Sequence, residues 1–361
     1  MMNGSRRVTV LSLHRGSASI VRALVPHFDL APAELAARLF RAPAVLAGGL
    51  PEQLASSLSE VLGNAGLRVV VEPDDAPLPP PAVHTYDVAL YLRDGGRFRD
   101  VCTELAAVLG CPLSDAAAAL CATPPTVLGS VSQATVDALQ ARFAPLGAEV
   151  DASHPPTARY DVFATDAVSL AVIRPVLEAQ GVTPAEAPLV ARDLSHEQAE
   201  RVWRELGPRG GVRLLDHAFQ RFDVSLLSAP SDAGFTELLV RETGMPPALV
   251  PKVLKRLPVV LHTGLSRADV VARTAPLEAA GAKLAVQLIN FRSFRLTVED
   301  SKDPAAAAEL LSTALGLPAN ETRSALSRLP HTFQPAVGDT RARWLVAELR
   351  SRGTRTSLVS H

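Results

Sequence analysis

Phe222-Asp223-Val224-Ser225-Leu226, Thr243-Gly244-Met245, Pro258, Gly264-Leu265-Ser266 and Ala280-Gly281-Ala282 are the landmarks of one stretch of chain, and their order decides the fold. The first five alternate in the way of a half-buried strand. Phe235, Leu238 and Leu239 fall at i, i+3, i+4 and turn one face of a helix inward. Gly244 ends that helix, because glycine tolerates the left-handed C-terminal position. Pro246-Pro247 restarts the chain, and Leu249, Val250, Val253, Leu254 and Leu257 mark a second apolar helix face. Pro258 stops it, and Thr263-Gly264-Leu265 reads as a turn. Ser266 with Asp269 resembles a capping box and opens a third helix through Val270, Val271 and Leu277. Gly281 ends that helix, and Ala282 to Val286 closes the unit as a strand. The spacing predicts strand, helix, helix, helix, strand. Pro251 and Pro276 fall inside these helices, where proline removes a hydrogen bond and clashes with the preceding turn, so each reads as a kink or an early end.

The same landmarks recur along the chain. Pro43, Pro124, Pro258 and Pro330 are each followed seven positions later by an apolar residue, and each by a glycine at one distance: 66−43, 147−124, 281−258 and 353−330 are all 23. The interval between turn glycines also holds, since 147−110, 281−244 and 353−316 are all 37; the first copy has Asp29 in the glycine's place, and 66−29 is 37. Such repeats set the architecture and are read before anything else. The third copy is shorter, 211−181 being 30, and its seven missing residues read as lost around Leu189 to Leu194 together with the proline. That predicts a stunted second helix there. The expected fold is α/β (α+β): five tandem small two-layer domains at 6–73, 85–151, 159–217, 220–289 and 290–361. Residues 74–84, with four prolines, read as a stiff extended linker, and 152–158 as a shorter one. A flexible front half and a compact back half follow.

Composition narrows the function classes. A net charge of −1 argues against nucleic acid or an acidic membrane as overall partner. Cys102, Cys111 and Cys121 are odd in number and form no CxxC, which fits a reduced, cytoplasmic setting. The opening apolar stretch is too short for a signal peptide, and no run reaches membrane-span length.

At Thr243-Gly244-Met245 the pattern becomes specific. The order Phe-Asp-Val strand, helix, Thr-Gly turn, helix, Pro, Gly-Leu-Ser, helix, Ala-Gly-Ala, strand resembles the C-terminal domain of the bacterial large-subunit ribosomal stalk protein, a compact fold shared with the Clp protease adaptor. The resemblance implies that the first two helices and the turn between them capture protein partners. Within that family, basic residues seven and four positions before the turn glycine help. Here only Arg22 and Arg174 keep one of those charges, so they and Thr243, Gly244 and Met245 are the candidate partner-binding residues.

No residue set suggests catalysis. His196-Glu197-Gln198-Ala199-Glu200 begins like a zinc-protease helix, but Glu200 stands where the second histidine belongs, and Ser195 with Gln198 explains the stretch as a capped helix start. The cysteine spacings of nine and ten fit no ligand pattern, which leaves buried small hydrophobes. Arg341, Arg343, Arg350, Arg352 and Arg355 line the last helix and its exit, interrupted by Glu348, and read as a solvated face. The expectation is a non-catalytic, multivalent protein-interaction scaffold without metal, cofactor or small-molecule substrate. Two alternatives stay open: a ribosome- or Clp-associated adaptor binding a translation factor or chaperone, and an enzyme with a site between repeats.

Overall fold

A computed structural model describes residues 5–361 apart from 29, 81 and 231. Asp29, which stands in place of the first turn glycine, therefore lies outside the described residues. The chain mixes helix and strand, and its strands form five small antiparallel sheets. In the first four the opening strand is central, flanked by the two strands that follow it. The fourth shows the reason. Strand Arg221–Ser228 sends Val224 and Leu226, both fully buried, under helices Ala233–Thr243 and Arg267–Ala279. Its neighbours are Val259–Ser266, with Phe222 opposite Leu265, and Lys283–Leu288, with Phe222 opposite Leu288.

The strand Val259–Ser266 corrects the expected element order. A second strand follows the landmark proline in each of the first four sheets: Ala44–Leu50, Thr126–Val131, Leu189–Ser195 and Val259–Ser266. The fifth keeps only two short pieces, His331–Thr332 and Val337–Gly338. Proline at one end and glycine near the other make these stretches read as turns. Residues such as Val259, Val260 and Leu261, however, are strand formers, and the central strand supplies their hydrogen bonds.

The third module differs from expectation in two ways. Helix Ala167–Ala179 is followed by no second helix before strand Leu189–Ser195. Nor is the proline lost, because Pro188 occupies its place, and 211−188 is again 23. The missing residues therefore fall between Gly181 and Pro188. Each of the five prolines follows a cis peptide bond, and each glycine 23 residues on has positive φ. Neither interior proline of the fourth module ends its helix. Pro251 lies in the first turn of the short helix Val250–Leu254, where a missing N–H costs nothing. Pro276 does not end its helix, which runs on to Ala279.

Two compact units emerge: residues 1–155 with 294–361, and residues 156–293. The fifth module thus packs with the first two, which corrects the expected compact back half. The flexible front half is corrected as well. Val8, Leu35, Leu39, Val88, Leu105, Leu139 and Phe143 belong to one continuous core, so the first two modules share their interior. Across that joint Ser132 N–H and Thr135 Oγ1 both donate to the Phe40 carbonyl, at 3.0 and 2.8 Å.

The segment 74–84 is not a free linker at its start. Arg7, 2% exposed, donates to the carbonyls of Ala76 and Pro77, and Asp74 accepts the Gly49 N–H at 2.7 Å. Further along, Leu78 and Val83 are exposed.

The fifth module docks through helix Asp339–Ser351. Trp344 stacks on Phe98 at 4.9 Å between centroids, and Arg343 donates to the Leu92 and Arg93 carbonyls and lies over the Tyr91 ring.

Candidate functional site at the helix turns and module joints

The helix–turn–helix ends were the expected partner surfaces, and the structure sorts them. In the second module, helix Phe98–Leu109 ends at Gly110, whose φ of +62° satisfies the left-handed C-cap. That end is already covered. Ala18 N–H donates to the Val108 carbonyl at 2.8 Å, and Arg22 donates to the Gly110 carbonyl at 2.7 Å. A Cβ at Gly110 would meet Ser19 N at 2.7 Å, so only glycine admits this approach. Arg22 is therefore engaged within its own unit, completing the cap of the neighbouring module.

The other candidates stand differently. Arg174 projects from helix Ala167–Ala179 and is exposed. In the fourth module Thr243 Oγ1 donates to the Leu239 carbonyl at 2.6 Å and accepts the Met245 N–H at 3.2 Å. Thr243 and Met245 thus build the turn, and Met245 packs on the core beneath it. Gly244 is exposed with no atom near its Cβ position, and Leu249 beside it is 43% exposed.

A second set of residues, the recurring aspartates of the opening strands, has a structural role that sequence reading did not assign. Asp87, Asp161 and Asp223 each accept a backbone N–H from the flanking strand: Ser130 at 3.0 Å, Asp193 at 3.1 Å and Gly264 at 3.1 Å. Those donors have φ of +55°, +57° and +65°, at register shifts in the ladder. The carboxylate satisfies an N–H that the bulged ladder leaves unpaired. In the first module Arg7 takes the aspartate's place, and Asp74 supplies the carboxylate for Gly49 instead. Spacing contained a signal for this, the shared Asp-Val step, but its meaning needed the bulge.

Asp161 does more, at the joint between the third and fourth modules. Its Oδ1 also meets His217 Nε2 at 2.8 Å, and its Oδ2 accepts from Gln220 at 2.7 Å. Arg267 in turn donates to Gln220 Oε1 at 2.6 Å. Burial pushes the Asp161 carboxyl up, but hydrogen bonds from His217, Gln220 and the Asp193 N–H outweigh it and hold it below the ordinary value. A folded value below the unfolded one stabilises the fold above about pH 4, and that contribution is lost as pH falls through the folded value. The chain has two tryptophans, Trp203 in this unit and Trp344 in the other, so a Trp344→Phe background isolates the signal of residues 156–293. The Trp203 denaturation midpoint is expected to fall between about pH 5 and pH 3. Asp161→Asn should lower it at pH 7 and flatten that dependence. An undiminished acid slope in Asp161→Asn would assign the effect elsewhere.

The remaining motifs are absorbed by the fold. Ser195 and Gln198 form the reciprocal capping box of helix His196–Leu206, and His196 lies 3.2 Å from the Tyr160 hydroxyl. No group of three His, Cys, Asp or Glu among the described residues is placed to hold a metal ion. Burial, with neighbouring Cys121, pushes the Cys102 thiol up to about 12. Burial also raises Cys121, against the opposing pull of Arg341. Neither is an activated nucleophile. Of the five arginines at the last helix and its exit, Arg341, Arg350 and Arg355 are exposed, whereas Arg343 donates to the second module and Arg352 to Glu348 at 2.7 Å. No single helix among the described residues is long and apolar enough to cross a membrane.

Compared with known proteins, the chain matches no family model, no curated protein and no solved structure.

Proposed function

We propose that this protein is a non-catalytic interaction scaffold of the cytoplasm, built from five versions of one small α+β module, several of which offer a helix–turn–helix end to protein partners. The observation that carries this reading is internal to the molecule. The end at Gly110 accepts a backbone N–H from Ala18 and a guanidinium from Arg22. Such an end is thus a surface on which another segment docks, since the last carbonyls of a helix carry partial negative charge and seek donors. In residues 156–293 the fourth module keeps such an end exposed at Gly244 and Leu249, and the first helix of the third module, which has no second helix after it, exposes Arg174. Linked sites of this kind gain avidity through effective concentration.

An adaptor bringing a translation factor or chaperone to the ribosome or a Clp protease is a special case of the same reading, resting on the stalk-like pattern of the sequence. Affinity purification of the intact chain with mass spectrometry tests both. The expected result is a stoichiometric protein partner that is lost on combining Arg174→Glu with Leu249→Arg, two changes at exposed positions. Retention of every partner by the double variant would remove these ends from the function. Ribosomal or Clp components among the lost partners would select the adaptor.

A further inference from the structure

A cleft of about 500 Å³ opens where the first two modules meet, lined by His14, Arg15, Glu104, Ala141, Arg142 and Leu146 among others. Its floor is a charged pair. Arg142, with an 11% exposed side chain, donates from Nε to Glu104 at 2.6 Å and from Nη1 to the Gly16 carbonyl at 2.6 Å. Those bonds cancel the Glu104 charge and leave the second terminal nitrogen, Nη2, without a hydrogen bond among the described residues.

The wall is the turn at His14-Arg15-Gly16, and it is held firmly. Arg15 N–H donates to the Gly66 carbonyl at 2.9 Å, Gly16 N–H to the Leu13 carbonyl at 2.7 Å, and Gly16 is buried against Leu67. His14 adopts φ +46°, a left-handed conformation that costs a non-glycine residue about 1–2 kcal/mol. The side chains of His14 and Arg15 make no hydrogen bond or ion pair among the described residues. A rigid turn therefore presents one uncommitted guanidinium and one imidazole beside a third basic side chain with a donor to spare. Opposite them, Ala138, Ala141 and Leu146 offer apolar surface.

We infer that this cleft binds a small organic anion. Its phosphoryl or carboxylate head takes Arg15 and the free nitrogen of Arg142, and its apolar body lies on Ala138, Ala141 and Leu146. A planar guanidinium fork matches both head groups, and the volume lies in the ordinary range for small-molecule pockets. The site is independent of the scaffold reading, since it needs no helix–turn–helix end.

The test is titration calorimetry on the full chain at low salt with phenyl phosphate, benzoate and inorganic phosphate. Saturable one-site binding of phenyl phosphate or benzoate is expected, tighter than that of inorganic phosphate, which has a head and no body. The tighter of the two organic anions identifies the head group. Arg15→Ala removes a charge-assisted hydrogen bond and should weaken binding about tenfold or more. Ala141→Trp fills the cleft from an exposed helix position and should abolish binding with the fold intact. Should either variant lose its fold, the other decides. No saturable binding of any probe, or binding unchanged in a folded variant, overturns the site.

Discussion

Gly95→Val is expected to release residues 294–361 from the first 155 while leaving each part folded. Gly95 is buried, and a Cβ placed on it would come within 2.4 Å of the Arg343 carbonyl oxygen and 2.8 Å of the Trp344 nitrogen. Both are backbone atoms in the middle of a helix, and neither can step aside as a side chain would. Overpacking in a close-packed contact typically costs 1–3 kcal/mol, occasionally more, and rigid neighbours put this site at about 3 kcal/mol or above. The readout is Trp344 fluorescence in a Trp203→Phe background, because undocking takes Trp344 off the Phe98 ring and into water. A red-shifted emission and early proteolytic loss of the C-terminal part are expected. Gly96→Ala is the control, since its added carbon would approach only Asp94, at 3.2 Å. Native emission and stability in Gly95→Val would show that the docking geometry is wrong.

Arg7→Ala should be nearly as costly and should free the proline-rich segment. Arg7 is 2% exposed, holds Glu72 through Nε and Nη2 at 3.2 Å each, and caps the carbonyls of Ala76 and Pro77. Removing one partner of a buried pair costs about 3–5 kcal/mol. The lower end applies here, because Glu72 keeps 33% of its side chain in water and its hydrogen bond from Thr9. A loss of about 3 kcal/mol by chemical denaturation is expected, with faster cleavage within residues 74–84 under native conditions. Arg7→Met, which restores the stem but not the donors, should recover part of the stability and none of the protease resistance. A cleavage rate equal to wild type in both variants would mean that Arg7 does not hold this segment.

The candidate partner residues show how far sequence carries a site. Arg22 and Arg174 stand on comparable helices, and nothing local separates them. Only the approach of the second module tells that Arg22 is consumed by the Gly110 carbonyl while Arg174 is exposed. The Asp161 network was out of reach for the same reason. Its members, from Asp161 to Arg267, lie up to 106 residues apart (267−161) and converge through the sheet and the short joint between modules. Thr243, by contrast, could be read, because the Thr-Gly-Met turn closes on itself within six residues.

By itself the sequence determined what short-range physics controls. Alternation placed Val224 and Leu226 on a strand, i/i+3/i+4 spacing placed Phe235 and Leu239 under a helix, and glycines marked the left-handed ends. Where two local rules competed it misled: turn formers at both ends of Val259–Ser266 hid a strand whose hydrogen bonds come from Arg221–Ser228, some 40 residues away. Which modules pack together was decided by tertiary structure alone. The fifth module lies beside the second because Gly95 has no side chain where the Arg343 and Trp344 backbone arrives, and because Phe98 offers Trp344 a ring. Complementarity between surfaces about 250 residues apart leaves no periodic trace in the chain, since each surface becomes a shape only after its own module has folded.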